Sequence, residues 1–133
     1  MIPKFRAWIK TEECFADYIE SIRFYSKEID LCWGGICESD CFDFDDIVLM
    51  QSTGLKDKNG KEIFEGDILE VTDKHSWLEV VSYSQEKAMF VTEEINREFK
   101  VPESPLYDLL DSTFLKFKVI GNIYEDPELL EVE

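Results

Sequence analysis

Hydrophobic and polar residues alternate along several short stretches of this chain, a pattern that predicts β-strands with one buried face. The stretch KFRAWIK shows it first: Phe5, Ala7 and Ile9 fall on one side of the predicted strand, and its charged residues fall on the other side with Trp8. Further on, DIVLMQS (46–52) predicts another strand because branched apolar residues favour extended backbone.

The segment between these two strands, residues 12–33, carries two competing periodicities. Some of its apolar residues recur at helical spacing, whereas others alternate as in strands. We interpret ESIRFYS and EIDLCWG as two strands joined around Ser26-Lys27, with a turn at Gly34-Gly35.

The second half of the chain alternates more regularly. DILEVT (67–72) predicts one strand, and SWLEVVSYS (76–84) with KAMFVTEE (87–94) predicts a hairpin of two long strands around Gln85-Glu86. LKFKVIGNIY (115–124) predicts a last strand that is kinked or bulged at Gly121-Asn122.

Helical signals are few. ESPLYDLLDS predicts a short helix near 104–111, with Ser104 as its N-cap, Pro105 at its first position and three leucines on one face. EDPELLE predicts a closing helical turn. The pattern therefore predicts a mainly β protein with minor α content, composed of an N-terminal β subdomain at 1–53 and a small barrel at 54–133 that together form one compact unit.

The stretch GLKDKNGKEIFEGDILEV holds three of the six glycines, which raises the question of a ligand site. A P-loop fails because five residues separate Gly54 from Gly60 and because Glu62 stands where a hydroxyl must bind magnesium. An EF-hand is excluded because the residue types at its ligand positions do not match. A dinucleotide-binding fingerprint is excluded because the chain returns to a strand instead of beginning a helix. The glycines therefore predict turns: a type I′ turn at Asn59-Gly60, and a break at Gly66 that begins a strand similar to the first strand of SH3-like barrels.

Composition and charge narrow the function classes. The 133 residues are 44% hydrophobic and 14% aromatic, which is enough for a core without disulfides. The net charge is −16, which repels phosphate backbones, and the nearest approach to a basic patch is Lys56, Lys58 and Lys61, interspersed with acids. The acidity predicts a solvated surface or, as the alternative, a decoy for a nucleic-acid-binding protein.

Four cysteines raise the possibility of zinc. Cys14, Cys32, Cys37 and Cys41, with His75 as another potential ligand, lack the close pairs of common zinc knuckles, so free thiols are favoured and no metal or cofactor is expected. The acidic residues Asp43, Asp45 and Asp46 could hold a divalent ion, but thirty acids produce such clusters by chance. The sequence shows no leader and no membrane span, which predicts a cytoplasmic protein.

Three blocks resemble the YopX protein family of phages and prophages: KFRAW, LMQSTGLKDKNGKEIFEGDILEV and VIGNIYEDPELL. They stand in the family's order and span nearly the whole chain. The resemblance implies a phage-type, mainly β protein with an SH3-like barrel, and it implies no established activity. The cysteine-bearing segment LCWGGICESDCF lies outside the shared pattern.

The resemblance also implies roles by position. The residues that would hold tight backbone geometry are Gly54, Asn59, Gly60, Gly66 and Gly121. The residues that would form core are Leu49, Leu55, Ile63, Phe64, Ile68, Ile120 and Ile123. The polar residues of the blocks would either fix turns or contact a partner: they are Gln51, Thr53, Lys56, Asp57 and Asp67. Apart from the resemblance, Trp77 on a predicted barrel strand is a further candidate contact.

Three functions follow as hypotheses. A single histidine, His75, with no triad around it argues against an enzyme. A protein-interaction module or a self-assembling protein is the leading hypothesis, since exposed aromatics with an acidic rim suit a basic partner. An acidic DNA mimic is the alternative, and a nucleic-acid-binding small barrel comes next, with the charge against it.

Overall fold

The computed structural model describes residues 2–35, 38–95 and 101–131. Strands take up 53% of these residues and helices 11%, so the predicted mainly β fold is confirmed. The chain divides into two compact units, Met1–Ser52 and Thr53–Glu133. The sequence had placed the boundary between residues 53 and 54.

The first unit is built from antiparallel strands. They are β1 Phe5–Ile9, β2 Cys14–Phe15, β3 Tyr18–Arg23, β4 Glu28–Cys32, β5 Asp40–Asp43 and the first part of β6 Ile47–Lys56. Strand β1 pairs with β2 and β6, and β4 lies between β3 and β5. The strands predicted at KFRAWIK, ESIRFYS and EIDLCWG are confirmed, although β3 ends at Arg23 rather than Ser26, and the helical alternative for residues 12–33 is wrong. The core of this unit consists of Ala7, Ile9, Ile29, Leu31 and Ile47.

The second unit contains a five-stranded antiparallel sheet that curls into half of a barrel. Its elements are β7 Glu62–Phe64, β8 Asp67–Thr72, β9 Ser76–Ser84, β10 Met89–Glu94, β11 Ser104–Pro105, β12 Lys116–Asn122 and the helix α1 Leu106–Asp111. The order of the five-stranded sheet is β11-β10-β9-β8-β12. Strand β7 is not part of it and lies next to β6 in another sheet. The predicted hairpin of two long strands, β9 and β10, is confirmed.

The second unit has its own hydrophobic core. It consists of Ile63, Leu69, Val71, Val81, Leu106, Leu109 and Phe117. Of the residues that the family resemblance assigned to cores, Ile63 and Ile68 are fully buried. The others are half-buried: Leu49, Leu55, Phe64, Ile120 and Ile123.

Helix α1 begins later than predicted. Pro105 is its N-cap residue rather than its first helical residue, and no side chain caps the helix. Ser104, the predicted cap, instead lies in β11 opposite Thr92 of β10. Backbone pairing with the sheet took precedence over the local capping signal. The predicted closing turn is a short 3₁₀ helix, Pro127–Leu130, with Asp126 at its N-cap.

Candidate functional site

The turn at residues 57–61 is organised around a buried carboxylate. Asp57 is only 7% exposed, and its Oδ1 accepts hydrogen bonds from the backbone N–H groups of Asn59 (2.9 Å) and Lys61 (2.8 Å). Its Oδ2 accepts a third from Val119 in β12 at 2.9 Å. Burial raises the pKa of Asp57, but these three N–H groups outweigh it, so the pKa lies below the ordinary 3.8.

The backbone of this turn differs from the type I′ prediction. A type I′ turn needs positive φ at both central residues, but Asn59 is not among the described non-glycine residues with positive φ. Gly60 alone has it, with φ of 84°. The Gly60 N–H bonds the Asp57 carbonyl (3.0 Å) and the Asp57 N–H bonds the Lys61 carbonyl (2.8 Å), a pattern typical of a type I turn followed by a glycine bulge.

Two other polar block residues bond the backbone in the same way. The Thr53 hydroxyl donates to the Ile63 carbonyl at 2.7 Å, and the Asp67 carboxylate, 1% exposed, accepts the Phe64 N–H at 2.8 Å. Asp57 and Asp67 are too buried to touch a partner, so these carboxylates hold turns. The prediction of partner contact remains for Gln51 and Thr53, which lie half-buried on β6, and for Lys56, which is exposed there.

Trp77, the predicted contact on the barrel, is half-buried and packs against the core of the second unit. Its indole N–H donates to the Glu79 carboxylate at 2.7 Å, and the ring of His75 lies 5.7 Å from its own. Trp77 therefore has a packing role in this unit.

The predicted turn glycines divide into two kinds. Gly54, Gly60 and Gly66 have φ of 77°, 84° and 85°, which an L side chain rarely adopts. Gly121 lies instead at the predicted bulge of β12, which the register shift between Val119 and Gly121 confirms. There a methyl group would lie 2.8 Å from Cγ of Asp126, so close approach rather than φ requires the glycine.

The candidate metal ligands are dispersed. Within residues 2–35, 38–95 and 101–131, no three His, Cys, Asp or Glu side chains gather closely enough to hold an ion. Cys32 is buried, Cys14 is half-buried and Cys41 is exposed, whereas Cys37 lies outside the described residues. Burial, with Glu12 and Asp17 nearby, raises the pKa of Cys14, which favours an unreactive thiol.

The tip of the β3–β4 hairpin places large aromatic side chains in water. Tyr25 is fully exposed, at 103% of its reference area, and Phe24 is 69% exposed. Phe24 packs edge-on against Phe44, with ring centroids 6.1 Å apart. Phe44 in turn donates its N–H to the Lys27 carbonyl at 2.9 Å, which fixes the tip against the 3₁₀ turn Phe44–Asp46. We call Phe24, Tyr25 and Phe44 the aromatic tip.

A shallow pocket of about 190 Å³ adjoins the aromatic tip. Its lining residues are Ser26, Lys27, Asp43, Phe44 and Asp45. Lys10 donates its ammonium to the main-chain carbonyl of Asp45 at 2.8 Å. The surface thus combines exposed rings with two carboxylates and one lysine in the lining, which suits a partner that presents apolar and basic groups.

The sequence did not reveal the aromatic tip because the strand predicted over ESIRFYS extends through Ser26. Strand β3 ends at Arg23, so Phe24 and Tyr25 belong to the turn, where no sheet neighbour covers them. The available signal was the position of two adjacent aromatics immediately before the predicted turn residues.

The structure groups three lysines and one glutamate differently from the sequence-based expectation. An open groove in the second unit is lined by Lys58, Lys116 and Lys118, because hydrogen bonds hold the turn at residues 57–61 beside β12. The grouping predicted as nearest to a patch, Lys56 with Lys58 and Lys61, shares only Lys58 with it.

Comparisons with known proteins agree along nearly the whole chain. The family model described as YopX protein matches residues 4–131. The crystal structure of protein EF1440 from Enterococcus faecalis is similar, with 33% identity over 98% of this chain and 99% of that chain and a TM-score of 0.64. No curated protein is significantly similar. Among the described residues, no helix has the length and apolar character needed to cross a bilayer.

Proposed function

The chain belongs to the YopX family, and from that premise we propose that it is a phage or prophage accessory protein that binds a protein partner in the host cytoplasm. The observation that supports this function is the aromatic tip. Soluble proteins seldom leave adjacent aromatic rings in water, and such surfaces commonly serve as contact sites. We propose binding rather than catalysis, because the one histidine of the sequence packs its ring beside Trp77.

The partner is a basic protein with an apolar recess. Burying a ring such as Phe24 in a recess would contribute about 1.5–3 kcal/mol to binding. Asp43 and Asp45 would pair with basic groups around the recess, and the net charge of −16 would speed the encounter. The same charge opposes association of two copies through their acidic tips, so a foreign partner is favoured over a homo-oligomer.

Site-specific photo-crosslinking tests this function. A photoreactive phenylalanine analogue replaces Tyr25 in one variant and Tyr107, an equally aromatic residue that is 65% exposed on α1, in the control. We expect an adduct in host cells from position 25 and not from position 107, with the crosslink mapped to a Lys- or Arg-rich surface. Adding Asp43→Asn and Asp45→Asn should weaken the adduct, as should added salt.

Three results would contradict the proposal. They are no adduct from position 25, the same adducts from both positions, and an adduct of two copies of this chain, which would show self-assembly instead.

A second candidate, the acidic DNA mimic, is supported by the net charge. If the captured partner binds nucleic acid through the crosslinked surface, duplex DNA should compete with this protein for it. A partner that binds DNA and this protein at the same time would exclude mimicry.

A further inference from the structure

The lysine-lined groove of the second unit is a feature that the aromatic tip does not involve. It encloses about 250 Å³ and opens to solvent. Its walls come from the turn at residues 57–61, from β8 and from β12. The lining polar residues are Lys58, Asn59, Glu70, Thr72, Lys116 and Lys118.

The turn wall of the groove is fixed in place. The Lys58 N–H donates to the Phe117 carbonyl at 3.4 Å, and the buried Asp57 carboxylate holds the Val119 N–H one step further along β12. The Lys58 ammonium lies 5.4 Å from the centre of the Phe117 ring, which is within cation–π range, and both residues line the groove.

The strand wall gathers the other two ammonium groups. Lys116 lies opposite Thr72, and Lys118 lies opposite Glu70, so all four side chains share one face of the β8–β12 pair. The Lys118 ammonium is 3.7 Å from the Glu70 carboxylate. Three cations against one anion leave a formal excess of positive charge, in a chain whose net charge is −16.

We propose that this groove binds a small oligophosphate, either inorganic or carried by a nucleotide. Three ammonium groups with a hydroxyl and an amide supply the donors that phosphate oxygens accept. Size decides against a long polyanion, because it would extend over the acidic surface and be repelled there. A ligand within the groove feels chiefly the nearby lysines, since charges beyond about 8 Å are screened at physiological ionic strength.

Calorimetric titration with sodium tripolyphosphate tests the groove. The variant Lys116→Gln/Lys118→Gln removes two groove charges, and the matched control Lys56→Gln/Lys61→Gln removes two exposed lysines that do not line it. We expect the groove variant to bind about tenfold more weakly and the control to keep wild-type affinity. Thermal melting of both variants verifies that each is folded.

The variant Glu70→Gln provides a test of opposite sign. It removes the one acidic group of the groove lining, so tripolyphosphate should bind about threefold more tightly. Loss of folding cannot produce tighter binding, so this variant separates a true site from a damaged one.

Further titrations distinguish the two phosphate sources. Tighter binding of ATP than of tripolyphosphate would identify a nucleotide, and equal or weaker binding would identify free oligophosphate. The proposal is overturned if tripolyphosphate does not bind, if both double variants weaken binding equally, or if single-stranded oligothymidylate binds where tripolyphosphate does not.

Discussion

Two turns of this protein differ in which side chains they expose to water and which they bury. The turn at residues 24–27 joins β3 to β4 and leaves Tyr25 fully exposed, while the turn at residues 57–61 joins β6 to β7 around Asp57, which is 7% exposed. The apolar groups of the first turn are in solvent, and the charged group of the second is inside the protein.

The difference separates scaffold from candidate function. A buried carboxylate that accepts three backbone N–H groups is satisfied within the molecule, so it needs no partner to explain it. Exposed rings stabilise nothing comparable in their own unit, so a contact outside the unit is the more natural explanation. If this contrast is right, changes at the second turn alter stability and changes at the first alter binding.

The largest expected effect comes from Asp57→Ala. Three backbone donors lose a charged acceptor, and the bond between the turn and β12 is broken, so the free energy of unfolding should fall by on the order of 4 kcal/mol. Urea unfolding measures it. Glu86→Ala removes an exposed acid from another turn and should cost no more than about 0.5 kcal/mol. If the two variants lost similar amounts of unfolding free energy, the stabilising role assigned to Asp57 would be wrong.

The pH dependence of Asp57→Asn tests the same carboxylate. Because the folded pKa of Asp57 lies below its unfolded value, its stabilisation is complete above the unfolded pKa and disappears as the pH falls through the folded pKa. The stability difference between wild type and Asp57→Asn should therefore be largest near neutral pH and narrow well below pH 3.8. A difference that grows on acidification would contradict the assignment.

Gly121→Ala should have an intermediate effect on the free energy of unfolding, at a second place where a carboxylate holds the backbone. Its methyl group would push against Asp126, whose carboxylate accepts the Asn122 N–H at 3.1 Å, and the expected cost is about 2 kcal/mol. A double-mutant cycle with Asp126→Ala should show less than additive loss, because the smaller side chain makes room. Gly60→Ala, where the added methyl meets nothing within 4 Å, should be additive with Asp126→Ala.

The smallest expected effect on stability belongs to the aromatic tip. Tyr25→Ser exchanges one fully exposed side chain for another, so the free energy of unfolding should change by less than about 0.5 kcal/mol. Urea unfolding checks this value. A loss of 2 kcal/mol or more by this measure, as for a core residue, would show that the tip is scaffold after all.

Strand positions were predictable where alternation was local and regular. KFRAWIK and the β9–β10 hairpin carry their own period of two, and the register of the hairpin follows from its short turn. Short strands such as β2 and β11 have only two residues each, so no period could reveal them.

Local turn and cap signals failed where another hydrogen-bonding group competed. Asn59-Gly60 has the pair typical of a type I′ turn, but the Asp57 carboxylate takes the Asn59 N–H and sets another geometry. Ser104 suits an N-cap, but pairing with Thr92 places it in a strand. The Ser104 outcome depends on a strand partner that the local sequence does not display, whereas Asp57 lies only two residues before Asn59 and was visible in the local sequence.

The two candidate sites were beyond sequence reasoning for different reasons. The aromatic tip depends on the residue at which β3 ends, and alternation locates ends poorly. The groove depends on the register that sets Lys116 beside Thr72 and on the bonds that bring Lys58 to β12, which join residues about sixty positions apart. The sequence Lys116-Phe117-Lys118 places two lysines on one face of a strand, but it does not show what lies beside that face.

The extra residue in β12 reverses the parity of the strand. Before it, odd positions such as Phe117 and Val119 share a face with Leu69 and Val71 of β8; after it, the even position Asn122 pairs with Asp67 on that same face. If the same residues alternated regularly without a bulge, Asn122 would lie with Lys116 and Lys118 on the opposite side. The bulge thus lets a single strand present lysines outward along its first half and a 5% exposed amide inward at its end.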